Sequence, residues 1–173
     1  MTIKAILIGA HGVGKTSILT RVKEDMFSAV YEPTIGVDFG IHVSTDGNHA
    51  IKYQVWDTVG AEKFRLANRG LYRGCMIAIL VFDVAYRDSF ECLDYRYGEA
   101  CNAFEACEVN MPEMLVIGNK GDLSLKRLVS QDEAEAWALK KEAFYLDYSA
   151  KEDSRAVIIA KLNEIVDKIM LNQ

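Results

Sequence analysis

Short apolar runs alternate along this chain with stretches whose apolar residues recur at helical spacing. Ile3 to Ile8 reads as a buried strand, and Lys15 to Glu24 as a helix. Val37 to Ser44 and Ala50 to Asp57 read as two further strands. The Asp46-Gly47 pair between them is a hairpin signal, so these two should pair antiparallel. Met76 to Val84 is almost wholly apolar, as a strand covered on both faces would be. Ser89 to Phe104 follows a helical period through Phe90, Leu93, Tyr97, Cys101 and Phe104. Met114 to Gly118 reads as a strand. Ser130 and Glu133 form a capping box that opens the next helix, and Phe144 to Leu146 reads as a short strand. The last helix places Ile158, Leu162, Ile165, Val166 and Ile169 on one face.

Alternation of this kind predicts an α/β fold, a mostly parallel sheet with helices on both sides. Ligands of such sheets sit at the carboxyl ends of the strands. Composition changes this picture little. The 173 residues are 50% hydrophobic and 26% charged, which suits one compact domain over residues 1–173. A net charge of −5 argues against a nucleic-acid partner. The four cysteines, Cys75, Cys92, Cys101 and Cys107, form no CxxC pair and no zinc spacing. They read as reduced thiols of a cytoplasmic protein, with Cys75 in the core. No run approaches the ~18 apolar residues of a membrane span.

The first chemical motif follows the first strand. Gly9-Ala10-His11-Gly12-Val13-Gly14-Lys15-Thr16 fits G-x-x-x-x-G-K-[ST] and opens a helix. Glycines let the backbone wrap closely around a phosphate, and the helix adds its positive end. Residues His11, Gly12, Val13, Gly14, Lys15, Thr16 and Ser17 would line the phosphates. Lys15 would reach the β- and γ-phosphates, and the Thr16 hydroxyl would ligate Mg²⁺. This loop alone leaves ATPases and nucleotide kinases open.

Two loops after later strands narrow the choice. Asn119-Lys120-Gly121-Asp122 follows Val116-Ile117-Gly118, and Ser149-Ala150-Lys151 follows the last short strand. A carboxylate such as Asp122 accepts from both the N1–H and the 2-amino group of guanine, where adenine offers no donor. An Ala150 N–H can meet the guanine O6, and a site left with unpaired polar groups rejects the wrong base. Together these loops resemble the guanine-specificity motifs of the Ras-like superfamily. In that resemblance Asn119 braces the loops, and Lys120 lies along the base.

The rest of the chain resembles the Rab family of that superfamily. The resemblance rests on Ile35-Gly36-Val37-Asp38-Phe39, Lys52-Tyr53-Gln54-Val55-Trp56, Leu71-Tyr72-Arg73-Gly74 and Leu80-Val81-Phe82-Asp83-Val84. It implies a P-loop NTPase of small G-protein fold, with a six-stranded mostly parallel sheet, one antiparallel strand and about five helices. It implies GTP or GDP with Mg²⁺ as ligands and a GTP-hydrolysing switch, serving membrane or vesicle traffic. The segment from Tyr31 to Phe39 resembles the first switch, where Thr34 would bind Mg²⁺ and the γ-phosphate. Tyr31 would fold over the phosphates and Phe27 would pack on the guanine ring, the alternative for Phe27 being a core aromatic. Trp56-Asp57-Thr58-Val59-Gly60 resembles the second switch. There Asp57 holds Mg²⁺, largely through water, and the Gly60 N–H senses the γ-phosphate. The catalytic set carried over is Lys15, Thr34 and Gly60. Effector proteins would meet Phe39 and Trp56, alongside an exchange factor and a GTPase-activating protein, and the chain is expected to be a monomer.

Several positions depart from the family pattern. Ala61 stands where a glutamine normally orients the attacking water, which predicts slow hydrolysis. Val59 replaces a small alanine, and His11 replaces a small phosphate-loop residue; His11 either crowds the space above the γ-phosphate or is a solvated side chain. Leu71 takes the place of the third, usually tyrosine, member of the effector-facing aromatic triad. The end Lys168-Ile169-Met170-Leu171-Asn172-Gln173 offers no cysteine for prenylation. Either a longer, lipidated tail is missing from this sequence, which attachment to endomembranes would need, or the protein is not lipid-anchored through its C-terminus. A GTP-binding scaffold with almost no turnover is the alternative to a cycling switch.

Overall fold

The computed structural model describes residues 1–30, 36–46, 49–58 and 69–171. Six strands form one sheet: β1 (Thr2–Gly9), β2 (Val37–Asp46), β3 (His49–Thr58), β4 (Cys75–Asp83), β5 (Glu113–Asn119) and β6 (Phe144–Asp147). The spatial order is β2-β3-β1-β4-β5-β6. Among the described residues only the β2–β3 pair is antiparallel; β1 pairs parallel with β3 and β4, and β4–β5 and β5–β6 are parallel. The hairpin register runs from Val37↔Thr58 to Asp46↔His49. Gly47 of the turn signal lies outside the described residues.

Among the described residues the helices are α1 (Lys15–Glu24), α2 (Arg69–Tyr72), α3 (Arg87–Glu91), α4 (Leu93–Ala106), α5 (Gln131–Lys140) and α6 (Arg155–Leu171), with a 3₁₀ turn at Ser124–Lys126. Among the described residues α3 and α4 together occupy the place of the single helix expected over Ser89 to Phe104, so five helical bodies result. The helix starts earlier than the pattern indicated and is interrupted at Cys92. Ser89 pins the first turn to the sheet, because its Oγ accepts from Asp83 N at 3.0 Å and donates to Tyr86 O at 2.7 Å. Leu93 and Phe104 then carry the apolar face of α4 into the core.

Period-two alternation in each central strand feeds two separate cores. Ile3, Ala5 and Leu7 of β1, Ile77, Ile79 and Val81 of β4, and Leu115 and Ile117 of β5 meet α1 and α6 on one face. Ile6 and Ile8, Ala78, Leu80 and Phe82, and Met114 and Val116 meet α3, α4 and α5 on the other. Burial on both faces explains why these strands read as continuous apolar runs. Cys75 is in the core as expected. The α6 stripe is also as expected: Ile158, Leu162, Ile165 and Val166 are buried, and Ile169 packs against them.

The capping box opening α5 is only half formed. Ser130 Oγ accepts from Glu133 N at 3.2 Å. The Glu133 carboxylate does not reach back to the cap. Both of its oxygens accept from Arg87, at 2.6 Å each, because a bidentate guanidinium pair outcompetes one amide.

Candidate functional site

The carboxyl ends of β1, β3, β4 and β5, with the loop after β6, bring the motif residues together. The crossover from β1 through α1 goes to one side of the sheet, whereas β4, β5 and β6 lie on the other. The crevice is therefore at the topological switch point. The loop after Gly9 turns through left-handed residues at Gly12 (φ 76°) and Gly14 (φ 97°), and Gly14 is the residue from which α1 starts. Such turns make backbone N–H groups converge on one point, next to the positive end of α1. His11 and Gly12 are exposed, whereas Val13 and Lys15 are buried. The Lys15 ammonium lies inside the curl, donating to Gly9 O at 2.9 Å and Ala10 O at 2.8 Å. A phosphate entering the loop meets a positive charge already placed at its centre.

Thr16 and Asp57 meet across the sheet. The Thr16 hydroxyl donates to Asp57 Oδ2 at 2.6 Å, and Asp57 is 1% exposed. The hydroxyl hydrogen is directed at the carboxylate, so the pair presents oxygen lone pairs to its surroundings. That is the donor chemistry a hard divalent cation such as Mg²⁺ takes, completed by water and phosphate oxygens. The residues present therefore fit the implied metal. Ser17, in the first turn of α1, is half-buried beside Thr16.

Asn119 ends β5 and joins the two halves of the site. Its Nδ2 donates to Val13 O at 2.9 Å, and its Oδ1 accepts from Ala150 N at 3.1 Å. The phosphate loop and the base loops are thereby one hydrogen-bonded unit. Lys120 has a left-handed backbone (φ 66°) and sends its ammonium to Gly12 O at 2.9 Å and Asp83 Oδ2 at 2.7 Å. Asp122 Oδ1 accepts from Ser149 Oγ at 2.7 Å, with the Lys151 ammonium 3.6 Å from its other oxygen. Phe27 is exposed, so the core alternative for it falls. The Ala150 N–H, expected to meet the guanine O6, donates to Asn119 Oδ1 at 3.1 Å.

Tyr31, Thr34, Val59, Gly60 and Ala61 lie outside the described residues. The two aromatics expected to face effectors lie within them. Phe39 and Trp56 are cross-strand partners whose rings stack at 4.9 Å, with Phe39 46% exposed. Leu71 does not extend that face; it is 7% exposed and packs in the core beneath α2. Lys4 sits beside the aromatic pair instead, its ammonium 5.1 Å from the Trp56 ring and bonded to Gly70 O and Arg73 O. Burial pulls the Lys4 pKa below its usual value.

Three bracing groups escaped the sequence reading. Asp83 holds Lys120 and also accepts from Ala85 N at 2.8 Å. Its signal was available, a carboxylate closing an otherwise apolar strand. Arg21 of α1 donates to carbonyls of the Ser149–Lys151 loop, and Asp25 accepts from Arg155 N at 2.7 Å. Neither carries a sequence signal, since charged residues in the last turn of a helix are ordinary.

The sequence model of the Ras family matches residues 4–170. The chain is also 39% identical over 148 residues to Ras-related protein Rab-2B of Dictyostelium discoideum, an alignment covering 86% of this chain and 71% of that protein. This sets aside the ATPase and nucleotide-kinase readings. With its phosphate loop, its Thr16–Asp57 pair and its Asn119 brace at the ends of a six-stranded sheet, the chain belongs to the Ras family and is a Rab-like small GTPase.

Proposed function

We propose that residues 1–173 form one GTP-binding domain that alternates between GTP- and GDP-bound states with Mg²⁺ and acts as a switch in membrane or vesicle traffic. The observation that carries this reading is the bridge of Asn119 between Val13 of the phosphate loop and Ala150 of the base loop. It supports a site that senses base and phosphates as one ligand. In this reading Asp122, oriented by Ser149, accepts from the guanine N1–H and 2-amino group. Lys120 flanks the base, Phe27 packs on it, and Tyr31 covers the phosphates. Lys15 neutralises the β- and γ-phosphates. Thr16, Thr34 and Asp57 hold the metal, which would offset charge on the phosphate oxygens. Gly60 reports the γ-phosphate to the second switch.

Phosphoryl transfer of this type relies on positioning and charge stabilisation. Ala61 has no polar group to align water, so turnover is slow while binding is intact. A GTPase-activating protein that supplies only an arginine, normally worth ~10³–10⁵ in rate, has no glutamine to work with. Effectors meet the Phe39–Trp56 face without a third aromatic, which selects partners unlike those of a full triad. A cytoplasmic location completes the proposal, with a peripheral place on endomembranes only if a lipidated tail belongs to the protein. The near-static scaffold is the second reading, favoured by Ala61.

Two measurements test this. In competition binding, GTP should displace labelled GDP and ATP should not; equal displacement overturns the base assignment. In single-turnover hydrolysis, Ala61→Gln should be faster than the wild type. Equal rates would show that Ala61 limits nothing and would remove the support for slow turnover.

A further inference from the structure

Arg21 lies in the last turn of α1, a full helix away from the phosphate loop, yet its guanidinium is directed at the base loop. Nε and Nη2 donate to Ala150 O at 3.1 and 2.9 Å, and Nη2 also donates to Lys151 O at 3.0 Å. Nη1 donates to Asp25 O at 2.7 Å, at the residue that ends α1, and lies 3.6 Å from the Asp25 carboxylate. The side chain is only 11% exposed. Asp25 in turn accepts from the backbone of Arg155, the first residue of α6. One planar fork thus fixes two successive carbonyls of the base loop to the helix that carries Lys15 and Thr16. No other side chain type offers that many donors in one rigid plane.

The atom that this clamp governs is the Ala150 amide. Its N–H and its C=O flank one Cα, and with the C=O held by Arg21 and the N–H by Asn119 both peptide planes that meet at Ala150 are tied down. In the structure that N–H reaches Asn119 Oδ1 at 3.1 Å, long enough to become a three-centre bond when a second acceptor arrives. We propose that Arg21 is a positioning residue that aligns the Ala150 N–H with the guanine O6, tying base recognition to the phosphate-loop helix. The inference rests on the guanine reading of the base loops, in which Asp122 serves the opposite edge of the base. The Arg21 guanidinium donates to Ala150 O, Lys151 O and Asp25 O, so its effect on binding is expected through the O6 contact.

The test is displacement of a fluorescent guanine nucleotide by three competitors. GDP carries O6. 6-Thioguanosine diphosphate keeps the N1–H and 2-amino group but has a large, weakly accepting sulfur in place of O6. Inosine diphosphate keeps O6 and lacks the 2-amino group. In Arg21→Ala the preference for GDP over the thio analogue should shrink by about tenfold, the scale of one hydrogen bond. The preference for GDP over inosine diphosphate should be unchanged. Arg21→Lys, which keeps the charge and loses the fork, should fall between, and it carries the same comparison if Arg21→Ala does not fold. Equal weakening of all three competitors would make Arg21 a general stabiliser and overturn the proposal, as would no change at all. A wild type that separates GDP from inosine diphosphate but not from the thio analogue also overturns it. A wild type that separates neither overturns the guanine reading itself, and the proposal with it.

Discussion

Gly14 joins backbone conformation to site assembly in one residue. Its φ of 97° is left-handed, and a Cβ there would run into the Asn119 amide nitrogen. That amide cannot step aside, because it is hydrogen-bonded to Val13 O. Gly12 is also left-handed, with φ 76°, but a Cβ there meets nothing within 4 Å. Gly12→Ala should therefore cost only the backbone penalty, about 1–2 kcal/mol. Gly14→Ala should cost that plus displacement of the brace, a further ~1–3 kcal/mol for the broken buried hydrogen bond. Urea unfolding of the nucleotide-free variants compares the two directly. Equal costs would show that the close approach to Asn119 contributes nothing.

Capping decides stability at the level of elements. Ser130 is the N-cap of α5 in extended conformation and accepts from Glu133 N. Ser130→Ala should destabilise the protein by about 1 kcal/mol, read as a lower denaturation midpoint at unchanged slope. Glu133→Gln should leave that cap intact, since its carboxylate is engaged by Arg87 and not by the helix start. A loss from Glu133→Ala that persists when Arg87 is already replaced by Ala would restore the full capping box. The helix over Ser89 to Phe104 makes a related point. Its apolar spacing was legible, but the earlier start at Arg87 and the tie from Ser89 to the end of β4 are features that periodicity does not encode.

Across the whole molecule, the two-sided core sets the response to alkali. Burial pushes the Cys75 thiol from 9.0 up to about 12. Burial, with the Asp167 carboxylate adding to it, pushes the Tyr53 hydroxyl from 10.0 up to about 12. Both groups are neutral in either state at lower pH, so their contribution to stability is then complete. As pH rises past those ordinary values the unfolded chain ionises first, and stability falls until the folded groups ionise in turn. Melting temperature followed from about pH 8 to about pH 11 should decline, and Cys75→Ala should flatten the first part of the decline. An unchanged slope in that variant would remove Cys75 as a cause.

Local pattern was sufficient for the six strands, the helices α1, α5 and α6, and the three motifs. Each rests on spacing within about a dozen residues, where hydrophobic period and turn chemistry act directly. The same locality made α1 legible to its end residues, Lys15 and Glu24. What the tertiary structure decided is which of these local pieces touch. Asn119 reaches Val13 across 106 residues of sequence, Arg21 reaches Ala150 across 129, and Thr16 reaches Asp57 across 41. Those contacts depend on strand order and on the register Leu7↔Asp57 and Asp83↔Asn119, which no short-range signal specifies. Leu71 illustrates the same division. Its identity set it apart from the aromatic pattern of the family, but only the packing of α2 over the sheet determined that it is buried, leaving the exposed Phe39 stacked on a half-buried Trp56.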